Sequence, residues 1–277
     1  MNSMFIYKLF LFQIIPLFQI FNIIFLNIFY ISNNLLYWGK TMKKYFKWNQ
    51  YVIPDSNQFY SKACIYFLNH RESIDFAIDA YTTSGNAVFL SRYLVLFSAP
   101  LMGLCTIITN TVFYFKRSKN LDKNAFINWS NKKLNKSPYK SLNIYPEGTR
   151  RLNNDVSRIK DGGILYSYQY NVPIQIIITK NKENVLSLKN YSHHDYVNLY
   201  TYFAKEIYPR DFETFEKYRD FVCSDWERCW DIVYNKEYKQ ENCEIFEPKK
   251  INIEFKNKNR VYLLRFLISL IIIYYFS

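Results

Sequence analysis

Short apolar runs alternate with longer stretches of mixed polarity through the middle of the chain. Ala63–Leu68 (ACIYFL), Val112–Phe115 (VFYF), Leu142–Tyr145 (LNIY) and Ile174–Thr179 (IQIIIT) are rich in β-branched and aromatic residues. This is the pattern of buried strands. Between the first two, Phe76 to Ile108 is mostly apolar and is long enough for two helices with a break near Pro100. Asp122 is placed to cap a helix through about Leu134, and Gly163 to Tyr170 suits a short helix. Asp211 is placed to cap another that reaches about Tyr238. Phe212, Phe215, Val222, Trp226 and Val233 lie near one of its faces, a stripe that reads as packing. Strands alternating with helices predict an α/β fold, with a mostly parallel sheet flanked by helices and right-handed crossovers.

The ends of the chain differ from the middle. Leu9 to Ser32 carries no charge, although Gln13, Gln19, Asn22 and Asn27 weaken its apolar character and Pro16 is placed to kink it. It is long enough to cross a bilayer as a helix, and it lacks the short apolar core and small-residue cleavage site of a signal peptide. Lys40, Lys43, Lys44 and Lys47 follow it, against Lys8 alone before it. The positive-inside rule then places the bulk of the protein in the cytosol. The C-terminal run from Val261 holds Arg265, and its uncharged part, Phe266 to Ser277, is too short for an ordinary span. It reads as interfacial or partly inserted, or as a buried helix packed on the first segment.

Composition narrows the choice of partners. Aromatic residues make up 20% of the chain, but Asn, Lys, Ile, Tyr and Phe are abundant throughout. The aromatics therefore read as compositional bias rather than a nucleic-acid surface. The net charge of +13 suits phosphate groups, anionic lipid headgroups and acidic small substrates alike. No helix-turn-helix, RNA-binding or zinc-finger pattern favours nucleic acid. The five cysteines are odd in number and none has C-x-x-C spacing, which argues against a disulfide scaffold and a zinc site and for a reducing compartment. His193-His194-Asp195 has no further ligands at suitable spacing and reads as a polar loop, so no metal is expected.

Four blocks carry candidate chemistry, and each has a bland reading when taken alone. Asn69-His70-Arg71-Glu72-Ser73-Ile74-Asp75 directly follows a predicted strand, where ligands collect in open α/β sheets. His70 and Asp75 lie about 140° apart on a regular helix. They meet only if His70 sits in the turn and Asp75 in the first helical turn, where the carboxylate holds one imidazole nitrogen and leaves the other as a base. The alternative is a satisfied histidine or a helix-capping aspartate. Pro146-Glu147-Gly148-Thr149-Arg150 also follows a predicted strand. Gly148 permits close backbone approach, and Arg150 can grip a phosphate bidentately; the alternative is a surface turn with an ion pair. Val112 to Arg117 reads as a buried strand that delivers Lys116 and Arg117 at its end, or as a solvated basic loop. Asn171-Val172-Pro173-Ile174 reads as a structural turn.

Taken together and in this order, the blocks resemble the glycerolipid acyltransferase family, typified by 1-acylglycerol-3-phosphate acyltransferases. The resemblance runs from about Lys62 to Asn184. It rests on Asn69, His70 and Asp75 for the N-H-x-x-x-x-D motif, Phe113 to Arg117 for the basic second motif, Tyr145 to Arg150 for F-P-E-G-T-R, and Val172 to Ile174 for V-P-I. Three positions depart from the family pattern: Glu72 stands where Ser is usual, Tyr145 replaces Phe, and Ile176 replaces a frequent Pro.

The resemblance implies direct transfer of a fatty acyl group from acyl-CoA, a co-substrate rather than a cofactor, to a lysophospholipid hydroxyl, with lysophosphatidate as the leading acceptor. His70 and Asp75 would be catalytic. Arg117, Glu147, Gly148, Thr149 and Arg150 would bind substrate, and Lys160 is a candidate for phosphate or CoA contact. No G-x-S-x-G elbow is present, in keeping with a mechanism without a covalent intermediate. CoA-independent transacylation and a non-catalytic lipid-binding protein are the rival readings. The expected organisation is a membrane anchor over residues 1–35, a catalytic domain over 45–210, a helical extension over 211–260 and a hydrophobic membrane-associated segment over 261–277. The expected location is an endomembrane such as the endoplasmic reticulum, with the catalytic domain facing the cytosol. The expected partners are membrane lipids, with neither nucleic acid nor an obligate protein partner.

Overall fold

In the computed structural model, residues 3–21, 33–116, 122–251, 253 and 267 are described. Helices α1 (Ser3–Phe21) and α2 (Asn34–Phe46) come first. Strands β1 (Asn49–Val52) and β2 (Ile65–Leu68) lead into α3 (Asp75–Thr82), β3 (Ala87–Arg92), α4 (Leu94–Ser98), α5 (Pro100–Thr109), β4 (Val112–Phe115), α6 (Lys123–Asn135) and β5 (Ser141–Ile144). Next come α7 (Asp161–Tyr170), β6 (Ile174–Lys180), α8 (Lys182–Val185), and the short strands β7 (Leu186–Ser187) and β8 (Ser192–His193). β9 (Asn198–Phe203), α9 (Phe215–Tyr234) and β10 (Glu244–Ile245) complete the order.

One sheet runs β10-β1-β9-β6-β2-β5-β3-β4. Its pairings are parallel except β10 with β1 and β9 with β6. The α/β fold with a mostly parallel sheet flanked by helices agrees with the strand-and-helix alternation of the sequence. β2 is buried at every position, as a strand covered on both faces must be. α9 packs on β6, β9 and α7, burying Tyr218, Val222, Trp226, Trp230 and Val233. It is capped by the Thr214 hydroxyl, which accepts from the Lys217 amide, rather than by Asp211.

The region from Phe76 to Ile108 departs from the two-helix expectation. It holds α3, then strand β3, then α4 and α5. Between α3 and β3 the backbone turns at Ser84 (φ 54°) and Gly85 (φ 62°). A side chain at Gly85 would meet the Leu36 amide and the Asn33 side chain, so the close approach of α2 requires the glycine here. β1, β9 and β10 extend the sheet with sequences whose polar residues hide them from a search for apolar runs.

The expected N-terminal membrane helix finds no support among the described residues. α1 begins at Ser3 and includes Lys8, whose buried ammonium pairs with Asp195 at 2.9 Å. α1 lies on α5 and α2, and Phe5, Phe12 and Ile15 are buried in this packing. Among the described residues no helix is long and apolar enough to cross a membrane. The rest of the expected span, residues 22–32, and nearly all of 254–277 lie outside the described residues.

α2 and α3 touch through Gly39, where an added Cβ would come within 2.7 Å of the Tyr81 amide nitrogen. The obstacle is backbone and cannot swing aside. Gly39→Ala should lower stability by about 1–3 kcal/mol despite its better helix propensity, read as a fall in the midpoint of denaturant unfolding. An unchanged midpoint would contradict this packing.

Candidate active site

The candidate site forms where β2 gives way to α3. Asn69 clamps the strand end in place. Its side-chain amide donates to the Thr179 carbonyl at 2.9 Å and to the Tyr234 hydroxyl at 3.1 Å, and its oxygen accepts from the Thr179 amide at 3.0 Å. The ends of β2 and β6 are thereby tied together, fixing where the chain leaves the sheet. His70 follows, held by its backbone at both ends: its amide donates to Glu147 Oε2 at 2.6 Å, and its carbonyl accepts from the Arg151 amide at 3.0 Å.

Asp75 opens α3 and is fully buried. Its Oδ2 lies 2.9 Å from His70 Nδ1 and also accepts from the amides of Arg71, at 2.5 Å, and Glu72, at 3.0 Å. The turn thus wraps around one carboxylate oxygen at the positive end of a helix. Burial alone would raise the Asp75 carboxyl. The buried Lys182 ammonium and the bonds from His70 and Arg71 outweigh it and hold the group below the ordinary carboxylate value. His70 Nε2 has no hydrogen-bond partner among the described residues, and the side chain is 16% exposed. One nitrogen is oriented and the other is open to a reactant.

Behind the imidazole, the Tyr145 ring stacks at 4.2 Å between centroids and 14° between planes. The Tyr145 hydroxyl donates to Asp79 Oδ2 at 2.9 Å. Lys182 sits 2.9 Å from both Asp79 oxygens and donates to the Asn69 carbonyl at 2.7 Å. Neither member of this ion pair is exposed. Burial pushes the Asp79 carboxyl up to about 6 against the opposing pull of Lys182.

The second block faces the first. Glu147 is buried and bonds the His70 amide and the Ser157 hydroxyl, the latter at 3.1 Å. Its contacts are therefore internal, and its position beneath the turn makes it a support for His70. Gly148 has φ +71°, and a Cβ there would strike the Lys160 side chain, which passes over it. Thr149 and Arg150 are exposed. Arg150 Nη1 donates to the Ser73 hydroxyl at 2.9 Å and lies 3.4 Å from Glu72 Oε2. His70, Asp75, Glu147, Gly148 and Arg150 are thus brought together, and Lys160 adjoins them. Arg117 lies outside the described residues.

Several partners escaped the sequence reading. Arg71 is 1% exposed and ties the 152–154 loop to the turn. It pairs with Glu183 at 2.7 Å and donates to the carbonyls of Leu152 at 2.8 Å and Asn153 at 2.6 Å. Asp79 lies one helical turn from Asp75, a spacing that places both on one face of α3 and offered a usable signal. Lys182 offered none: it sits in a polar K-N-K-E run beyond β6. Asp195, by contrast, is engaged by Lys8 and Lys47, and no group of His, Cys, Asp and Glu side chains among the described residues is arranged to hold a metal.

Residues 49–179 match the Acyltransferase family model, and this segment contains the whole His70–Asp75 and Glu147–Arg150 constellation. The chain carries an acyltransferase domain. The protein is an acyltransferase enzyme by that match. A solved structure with a similar fold is the 1-acyl-sn-glycerophosphate acyltransferase PlsC from Thermotoga maritima. It superposes with a TM-score of 0.62 at 14% identity, covering 85% of this chain and 96% of that one. No curated protein matches the sequence.

Burial within the acyltransferase domain pushes the Glu147 carboxyl from 4.5 up to about 7, against its bonds from His70 and Ser157. The folded state then holds a proton that the unfolded chain releases first. The associated stability is fully present below about pH 4.5 and is lost as pH rises through about 7. Glu147→Gln removes this loss while keeping an oxygen for the His70 amide. The unfolding midpoint of the variant relative to the native protein should therefore rise between pH 5 and pH 8. A difference that stays flat across that interval would contradict the shift.

Proposed function

We propose that the protein transfers a fatty acyl group from acyl-CoA to the free hydroxyl of a lysophospholipid, with 1-acylglycerol-3-phosphate as acceptor and phosphatidic acid as product. The observation that carries this reading is the oriented imidazole: Asp75 on Nδ1, an open Nε2, and a guanidinium, Arg150, on the adjacent loop. His70 Nε2 takes the proton of the acceptor hydroxyl as its oxygen attacks the thioester carbonyl. The C–O bond forms, the tetrahedral intermediate collapses with loss of the thiolate, and the imidazolium returns the proton to sulfur. Asp75 stabilises the imidazolium while it exists. No nucleophilic side chain is required.

Arg150 holds the acceptor phosphate, and Gly148 and Thr149 let the chain pass close to it. Lys160, across Gly148, is placed for a further phosphate or CoA contact. Arg117 is assigned to the same role from its motif alone. Glu147 contributes by fixing the His70 backbone.

We further propose that the enzyme works at a membrane surface. Tyr7, Phe10 and Phe18 of α1 and Leu94 and Phe97 of α4 are exposed, Phe97 at 81%. Both helices pack on α5, so apolar side chains that would otherwise face water can enter the acyl-chain region where both substrates reside.

With labelled acyl-CoA and lysophosphatidate, His70→Ala should lower kcat by about 10²–10⁴-fold, the usual range for a positioned base. Arg150→Ala should chiefly raise the acceptor KM. Full activity of His70→Ala would remove the base assignment, and product formed without CoA would point to transacylation instead.

A further inference from the structure

A pocket of about 620 Å³ adjoins the turn that carries His70, and besides Arg71 of that turn its cations come from two separate parts of the chain. Arg150 and Arg151 line it from the E-G-T-R loop. Lys189 lines it from the segment joining β7 and β8, which lies beyond the 49–179 match to the acyltransferase family. Glu72, 2% exposed, joins the two parts. Its Oε1 accepts from the Ser187 hydroxyl at 3.0 Å and from the Lys189 amide at 3.4 Å. Its Oε2 accepts from the Ser73 amide at 3.3 Å and lies 3.4 Å from Arg150.

We infer that the β7–β8 hairpin is part of the acceptor site: Lys189 is a phosphate-binding cation that selects a phosphomonoester headgroup, and Glu72 is the residue that positions it. This rests on the acyl-transfer reading above. Three features carry it. The first is charge. The pocket presents Arg150, Arg151 and Lys189 against the single carboxyl of Glu72, while Arg71, which also lines it, is already paired with Glu183. An excess of about two positive charges matches a phosphomonoester dianion better than a phosphodiester monoanion.

The second feature is the state of Glu72. An acid at a headgroup pocket suggests a partner for the amine of a zwitterionic lipid. Both Glu72 oxygens, however, are already occupied by four donors of the protein, and the side chain is buried. It has no open face for a choline or ethanolamine group and acts as a tether. The third is geometry. β7 and β8 pair through Leu186 with His193 and Ser187 with Ser192, so a hairpin only two pairs long needs an outside anchor to hold Lys189 in one place. Glu72 supplies that anchor at the root of the turn.

The test compares native enzyme, Lys189→Ala, Lys189→Arg, Glu72→Ala and Glu72→Gln with labelled acyl-CoA, using lysophosphatidate and lysophosphatidylcholine as acceptors. Lys189→Ala should raise the KM for lysophosphatidate about fivefold, the size of one partly exposed charge pair. The change should fall on KM rather than kcat, and the KM for lysophosphatidylcholine, whose phosphodiester carries one negative charge rather than two, should rise less. Lys189→Arg should restore the native KM. Glu72→Ala should reproduce the rise, and Glu72→Gln, which keeps an oxygen for Ser187 and the Lys189 amide, should reverse it. Lys189 is exposed, so Lys189→Ala keeps the test decisive if Glu72→Ala does not fold. An unchanged lysophosphatidate KM in Lys189→Ala, or an equal rise for both acceptors, would overturn the proposal. Calorimetric titration with glycerol 3-phosphate separates this from failure of the acyl-transfer reading. If the native protein shows no transfer, weaker glycerol 3-phosphate binding by Lys189→Ala still supports the site, and equal binding still overturns it.

Discussion

A single carboxylate oxygen, Asp75 Oδ2, organises the turn on which the site depends. It sits at the start of α3 without exposure to water and accepts from two backbone amides and the imidazole of His70. An isolated buried carboxylate is costly, so its position is tolerable only because each of these donors is in place. The dependence also runs the other way. The Arg71 and Glu72 amides point at Asp75 only while the turn keeps its shape, and that shape brings the imidazole to the same oxygen. Asn69 and Glu147 hold the turn from either side, one through the end of β6 and the other through the His70 amide.

Beneath the turn lies a second buried charge pair, Lys182 with Asp79, joined to the His70 ring through Tyr145. Such a pair contributes little net stability, because desolvation offsets its attraction, but removing one partner leaves an unpaired charge in the core. Its effect is geometric and electrostatic. Lys182 bonds the carbonyl of Asn69, and its ammonium favours the charged form of Asp75. Tyr145 replaces the phenylalanine usual in the resembling family and uses its hydroxyl to connect the imidazole stack to Asp79. The site is thus built on buried internal contacts, and the Arg150 pocket adjoins the turn that carries it.

The sequence made parts of this structure legible for identifiable reasons. β2, β4, β5 and β6 are central or nearly continuous apolar strands, and their runs stood out. β3 was hidden because Ala87–Arg92 continues an apolar stretch, although the Thr-Thr-Ser-Gly-Asn turn before it was a readable break. β1 and β9 carry alternating polar residues, Gln50 and Thr201 among them, and these polar groups bond to each other in the core. The requirement that His70 lie in the turn and Asp75 in the first helical turn followed from spacing alone. The Lys182–Asp79 pair did not, because it joins residues 103 positions apart. The apolar N-terminal segment was readable as apolar but not as packed: α1 directs one side to α5 and pairs Lys8 with Asp195.

Base catalysis at His70 depends on which imidazole nitrogen carries the proton when the ring is neutral. Nuclear magnetic resonance of the protein with ¹⁵N-labelled histidine, assigned through His70→Ala, reads this directly. The Asp75 contact predicts a proton on Nδ1 and a bare Nε2, with the preference lost in Asp75→Asn. A neutral ring protonated on Nε2 would contradict the account, because the nitrogen facing the reactant would then be unable to act as the base.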